Sequence, residues 1–327
     1  MINIIRDIFN LNNWKILINN PSYAKKKLIT RFFSYPSKRV GNNKNKFIRN
    51  LNVDFWIYFA KKNSNFKKFF FEESSYKNVD YVFDYKNNYK TLSKNTIESL
   101  ESNGIAILKN ILPGKEHNYA KKKFNDLNNQ NIQDKNWLIP PKDISKDDDV
   151  KLTWAQDDIE KYDVLKIIND DLTKLIYGIP LETNAEYFFH KSKNLPEKII
   201  KGDNHLHMDR FIPNLKLYYS PFKIDKDSAP FQYVMGSHKI NKNYINYWKT
   251  SKNWDEYEDF KNKNEYLEKM KNNNFNLLEL EENCLIAALT NGLHGRTAFL
   301  KHKDRKVIFL TYNSYNKISL LNPKKFN

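Results

Sequence analysis

Two imidazoles and one carboxylate, spaced so that they could close on a single ion, are the residues of this chain best suited to chemistry. The stretch from Asn204 to Arg210 reads Asn-His-Leu-His-Met-Asp-Arg, with one residue between His207 and Asp209. On an extended strand those two side chains leave the same face. A third donor, His294, stands downstream in Leu-Thr-Asn-Gly-Leu-His-Gly-Arg-Thr, just after the apolar run Cys284 to Leu289. Two imidazoles and a carboxylate on one side of a metal form the ligand set of non-haem Fe(II) oxygenases, which leaves positions open for cosubstrate and O2. A His-x-Asp pair by itself is common by chance and does not make a site.

The segment after His294 adds weight. Arg305 lies eleven residues on (305 − 294 = 11) and opens Arg-Lys-Val-Ile-Phe-Leu-Thr-Tyr-Asn, a run with strand character. Arg305, Val307, Phe309 and Thr311 share one face, so a guanidinium is aimed at a side of a sheet that is otherwise apolar. Burying an unpaired charge is very costly, so a core-facing Arg calls for an anion. A dicarboxylate cosubstrate would supply one.

In this order and spacing, His207-x-Asp209, then Gly236-Ser237-His238-Lys239, then His294 and Arg305 resemble the phytanoyl-CoA dioxygenase family of Fe(II)/2-oxoglutarate oxygenases. Leu100-Glu-Ser-Asn-Gly104-Ile-Ala-Ile-Leu108 is similar to that family's opening, a short helix running through Gly into the first strand, so the resemblance extends from about Leu92 to Asn313. The sequence departs from the pattern at Met208, where Gln is frequent, at Met235, where Pro usually precedes Gly-Ser-His, and at Arg296, where a small residue is common. These positions bear on pocket shape.

The resemblance implies Fe(II) held by His207, Asp209 and His294, with 2-oxoglutarate and O2 in the remaining positions and a small molecule hydroxylated as succinate and CO2 are released. It implies Arg305 as the anchor of the cosubstrate's distal carboxylate. Thr297 and Thr311 are candidate further donors, by placement near His294 and on the strand of Arg305. Related halogenases put a small residue where Asp209 stands, so hydroxylation or desaturation is expected here and halogen transfer is not.

Composition leaves rival readings open. The net charge of +17 fits a nucleic-acid, membrane-surface or anionic-ligand partner, although the lysines are scattered and share the sequence with abundant Asn and Ile. Tyr23 to Tyr35 and Phe66 to Phe71 interleave basic and aromatic residues, as an interfacial or single-strand-binding segment would. Against that stands a helical flange packing its aromatic side on the rest of the chain. The rivals are therefore a basic binding module for nucleic acid or anionic membrane, and a cupin-like metalloenzyme working without 2-oxoglutarate. Arg305 counts against the second.

With 40% hydrophobic residues the chain is globular, and one cysteine, Cys284, excludes a disulfide framework. No apolar run approaches the roughly 20 residues of a spanning helix, and Arg6 and Asp7 interrupt what would be a signal peptide's apolar centre. A cytoplasmic protein without a transmembrane segment is expected.

The elements that must position the candidate residues follow from Leu92 onward. Ser93 caps a predicted helix that Gly104 ends, Ile105 to Leu108 is a strand, and Pro113-Gly114 opens a helix through about Leu127. Asn128 to Asp149 reads as a surface loop, and Val164 to Tyr177 as a support helix. Predicted strands follow at Ala185 to His190, Leu215 to Ser220, Phe231 to Met235, Phe275 to Glu281, Cys284 to Leu289, Thr297 to Leu300 and Val307 to Tyr312. Many short strands after early helices indicate a mainly β fold with flanking helices, a double-stranded β-helix of the jelly-roll, cupin-like kind. Residues 1–90 are expected to form a basic, aromatic, helical extension, and residues 91–327 the catalytic domain, with a helical insertion around 241–271.

Overall fold

The computed structural model describes residues 53–54, 57–58, 60–61, 64–72, 82–84, 92–129, 148–154, 156–177, 180–181, 183–192, 206–209, 214–250, 275–297, 299–300 and 303–312. Among the described residues ten strands fall into two sheets. The larger has the order β1-β2-β8-β5-β10-β4-β3 and the smaller β7-β6-β9. The strands are β1 Val82–Asp84, β2 Ile105–Lys109, β3 Asp148–Trp154, β4 Thr183–Ser192, β5 Leu215–Ser220, β6 Phe231–Val234, β7 Phe275–Leu278, β8 Cys284–Leu289, β9 His294–Arg296 and β10 Asp304–Tyr312. All neighbours pair antiparallel except β1 with β2. Two mostly antiparallel sheets with helices outside them are consistent with a jelly-roll, cupin-like core.

Strands β2, β5 and β8 of the large sheet are buried on both faces, and alternation along the strands sorts the side chains. Ala185, Tyr187 and Phe189 of β4, with Ile308 and Leu310 of β10, join the helices in one core. Phe188, Val307, Tyr218 and Ile286 join Phe231 and Tyr233 of the small sheet in a second core between the sheets. The helices are α1 Lys94–Asn103, α2 Gly114–Asn129, α3 Asp163–Tyr177 and α4 Lys242–Thr250. On α3, Leu165, Ile168, Leu172 and Ile176 recur at helical spacing and are fully buried.

Local chemistry fixes these boundaries. The Ser93 hydroxyl accepts from the Thr96 backbone N–H at 3.2 Å and caps α1, as expected. Gly104 ends α1 in the left-handed region at φ 81, where a Cβ would lie 2.4 Å from both His238 Nδ1 and the Tyr233 hydroxyl. Glycine is needed there twice over. Asn283, also left-handed at φ 57, clamps the chain before α2 by accepting from Leu112 N–H and donating to its carbonyl, each at 2.9 Å.

Three expectations change. The acidic end of the predicted loop, Asp148 and Asp149, begins edge strand β3, because pairing with Lys191 and Ser192 of β4 supplies the ladder. The strand expected at Thr297 to Leu300 sits earlier, at His294–Arg296, and only Phe299 makes an isolated bridge, to Ser228. The boundary at residue 90 falls inside a shared core. A helical turn at Ser64–Phe66 runs into a π-helical turn at Lys67–Phe71, and Phe66, Phe69 and Phe70 are buried with the helices of the main domain. Phe66 packs on Tyr177 at 5.6 Å, and the Phe70 carbonyl accepts from Ile240 N–H at 2.7 Å. Residues 1–52, most of the loop after α2 and residues 251–274 of the predicted insertion lie outside the described residues.

Candidate metal centre

His207 and His294 exchange backbone hydrogen bonds, His207 N–H to His294 O at 2.8 Å and His294 N–H to His207 O at 2.9 Å. This bridge sets the imidazoles side by side, 4.5 Å between ring centres. Asp209 N–H donates to Thr290 O at 3.0 Å, which fixes the carboxylate beneath them. Asp209 Oδ1 then lies 3.7 Å from His207 Nε2 and 3.6 Å from His294 Nε2. Donor atoms of the three residues all fall within 4.8 Å of one another, and no other such group occurs among the described residues.

This donor set fits a divalent metal. With metal–ligand bonds of about 2.1 Å, adjacent ligand atoms sit roughly 3 Å apart, so small side-chain rotations close the triad. His294 Nδ1 lies 2.9 Å from Gly292 O, which places the proton on Nδ1 and leaves the Nε2 lone pair facing the site. Burial pushes the His294 pKa down to about 3, so the ring is neutral as a ligand must be. Burial alone would raise Asp209, yet the charge of the neighbouring Lys216 ammonium and its hydrogen bond hold it well below the ordinary carboxylate range.

Lys216 is the residue that sequence reasoning missed. Its Nζ lies 2.7 Å from Asp209 Oδ2, and Asn214 Nδ2 donates to the same oxygen at 3.3 Å. One carboxylate oxygen is thereby occupied, and the other faces the histidines. Lys216 sits in Leu-Lys-Leu-Tyr-Tyr, a run buried on both faces, where alternation alone does not say which face meets the second sheet.

Arg305 is buried on β10 opposite His190, on the face shared with Val307, so it points between the sheets. Arg296, two residues past His294 on β9, is equally buried, and its guanidinium lies over the Phe299 ring at 5.5 Å. Phe299 in turn meets His190 edge-on at 4.8 Å. Two guanidinium groups are thus gathered towards one end of the inter-sheet space. Arg296 was singled out in the sequence only as a departure from a family pattern.

The two threonines separate. Thr297 Oγ1 is buried and makes no hydrogen bond among the described residues. Thr311 shares the face of Arg305 but lies six residues along β10, about 20 Å away, so the two cannot grip one carboxylate. Tyr187 of β4 and Tyr219 of β5 face the helices: their hydroxyls meet Tyr162 and His117, each at 2.8 Å. Gln232 donates to the Arg296 carbonyl at 2.8 Å. His238 is fully buried at its turn, with Nε2 3.2 Å from Glu101 O, and is kept neutral by burial. His205 lies outside the described residues.

The architecture and site together define a two-sheet β protein with a buried His-x-Asp and distal His cluster suited to a metal. No family model matches the chain, and no curated protein matches its sequence, so the phytanoyl-CoA dioxygenase resemblance rests on the motif alone. Solved structures give matches. AviO1 from Streptomyces viridochromogenes Tue57 is 13% identical with a TM-score of 0.46, covering 68% of this chain and 95% of that one. HygX from Streptomyces hygroscopicus, solved with nickel and 2-oxoglutarate bound, is 13% identical with a TM-score of 0.46, covering 68% and 87%. EctD from S. alaskensis, solved with bound Fe, is 12% identical with a TM-score of 0.44, covering 73% and 79%. Among the described residues no helix is long and apolar enough to cross a membrane.

Proposed function

We propose that the chain is a non-haem Fe(II)/2-oxoglutarate-dependent oxygenase with a double-stranded β-helix core, acting on a small molecule. The observation that carries the reading is the triad of two histidines and Asp209, whose second oxygen is reserved by Lys216. One carboxylate oxygen and two imidazoles leave half of an octahedral shell open, the arrangement that O2-using Fe(II) enzymes need. The bound iron and cosubstrate would supply the oxidising chemistry.

What the chain's own residues do is bind, orient and exclude water. His294 offers Nε2 because Gly292 O holds its other nitrogen. The rings of Phe231, Tyr218 and Phe309 pack beside it, with Phe231 stacked on His294 at 5.9 Å and Tyr218 5.0 Å from both Phe231 and Phe309. They form a dry wall along which a cosubstrate would extend. The buried guanidiniums of Arg305 and Arg296 make the far end of the space attractive to a carboxylate, and an Arg fork matches a carboxylate with two parallel hydrogen bonds. Since Asp209 is a carboxylate and not a small residue, the outcome is hydroxylation or desaturation without halogen transfer.

The test is anaerobic titration with Fe(II) and then 2-oxoglutarate. One Fe(II) per chain should bind, the weak visible band of a chelated keto acid should appear, and Asp209→Ala should abolish both. Iron affinity unchanged in Asp209→Ala would sink the assignment.

A further inference from the structure

Among the described residues Glu186 has no structural employment where it stands. It occupies the middle of β4, directly opposite Phe309, and glutamate is disfavoured in strands. Its neighbours Ala185 and Tyr187 face the helices and Phe188 faces the small sheet, so Glu186 shares the inter-sheet face with Phe188. The side chain is half-buried, and burial and the charge of Lys216 are what act on its carboxylate, with no hydrogen bond to it among the described residues. Burial raises its pKa, and the one charge acting against that is Lys216, whose ammonium is already committed to Asp209 at 2.7 Å. A carboxylate drawn out of water without donors is unfavourable, so a donor from outside the protein would be welcomed.

Its position relative to the candidate metal is defined by a chain of rings. Phe309, opposite Glu186, lies 5.0 Å from Tyr218; Tyr218 lies 5.0 Å from Phe231; and Phe231 stacks on the ligand His294. Glu186 therefore stands at one end of an aromatic floor whose other end is the triad. The two arginines attract anions towards another part of the same space, where Arg305 lies four residues along β10 from Phe309.

We infer that Glu186 is a specificity-determining residue that receives a cationic nitrogen, an ammonium or guanidinium, of a small-molecule substrate lying across Phe309 and Tyr218. The rings suit such a ligand because a cation gains from an aromatic face and the apolar remainder of the molecule gains from burial. The substrate class is thus an amine or guanidine with an apolar stem. This rests on the oxygenase reading of the triad.

The experiment loads the full chain with Mn(II) and 2-oxoglutarate in the absence of Fe(II), and titrates agmatine, L-lysine, L-arginine and spermidine by calorimetry. Their N-acetylated, uncharged counterparts and a set of dicarboxylates are run beside them. At least one cation should bind tenfold or more tightly than its acetylated partner, and Glu186→Gln should reduce that preference by tenfold or more. Glu186→Asp should keep part of it. Binding of no cation, equal binding of the acetylated partners, or an unchanged preference in Glu186→Gln overturns the inference. Failure of Mn(II) or 2-oxoglutarate themselves to bind is a different result, which removes the oxygenase reading and this inference with it.

Discussion

The ammonium of Lys216 lies 2.7 Å from Asp209 Oδ2, while Asp209 Oδ1 faces both site histidines. One carboxylate can therefore serve two cations at once: the lysine at Oδ2, and a metal at Oδ1 when one is present. Removing Lys216 leaves a buried charge uncompensated, which costs several kcal/mol in a sealed interior and less here, because the lysine is partly exposed. Lys216→Met should lower the stability of metal-free protein by about 1–3 kcal/mol and that of Mn(II)-loaded protein by clearly less. Denaturant unfolding with and without Mn(II) measures both, and equal losses would mean that Lys216 does not act through Asp209.

Arg305 should govern cosubstrate affinity without touching the metal. Losing one partner of a buried, hydrogen-bonded charge pair costs on the order of 2–5 kcal/mol, or roughly 30-fold to several thousand-fold. Arg305→Ala should raise the apparent KM for 2-oxoglutarate by at least tens of fold, and Arg305→Lys should not restore it, because a point charge does not reproduce the fork. Arg296→Ser should give a smaller rise in the same direction. Fe(II) affinity should stay near normal in all three, measured by anaerobic titration.

A chain beginning near Asn88 is expected to fail as a folded protein. It would lack Phe66, Phe69 and Phe70, each at or below 2% exposure in the core shared with α3. Truncating one buried Phe to Ala costs about 3–5 kcal/mol, comparable to the whole stability of many domains. Phe70→Ala alone should lower stability by about 3–5 kcal/mol. A soluble 88–327 fragment with native far- and near-ultraviolet circular dichroism would refute this.

Lys239 offers a pH-dependent test. Burial lowers its pKa to about 8, against the attraction of Glu101 and Glu72, and its Nζ makes no hydrogen bond among the described residues. A lysine whose folded pKa lies below its unfolded value penalises the fold while both states are protonated, below about pH 8. Between there and the unfolded value near 10.5 the unfolded chain holds the extra proton, so stability rises with pH. Lys239→Met should stabilise the protein at pH 7 by about 1–2 kcal/mol, with the gain shrinking towards pH 10. Urea unfolding across that range would show the opposite slope if Lys239 were held by an ion pair.

The triad was legible because metal ligands carry strong chemical signatures, and two of them sit at a spacing that one extended segment can satisfy. The strands Leu215 to Ser220 and Cys284 to Leu289 were read to the residue, since Pro, Asn and Gly punctuate them. Lys216 and Glu186 were not legible. Both lie in strands buried on two faces, where the period of two survives but its phase does not reveal which side holds the site. Strand β3 was hidden for a different reason: Asp148 and Asp149 have little strand propensity, and only the partner β4 makes them extended. The terminal aromatics were legible as a cluster, while their place under α3 depends on contacts more than a hundred residues away, as between Phe66 and Tyr177.

The reciprocal backbone bridge between His207 and His294 joins points 87 residues apart (294 − 207 = 87). The ligands are therefore brought together only when segments far apart in the chain have paired. An ion gripped by both would act as a staple across that loop, and the entropy of closing a long loop grows only with the logarithm of its length. Interactions absent from the folding transition state slow unfolding rather than speed folding, and a metal gripped only by the assembled triad is one of these. The clasp would thus show itself less in how fast the chain folds than in how long the folded, loaded molecule survives.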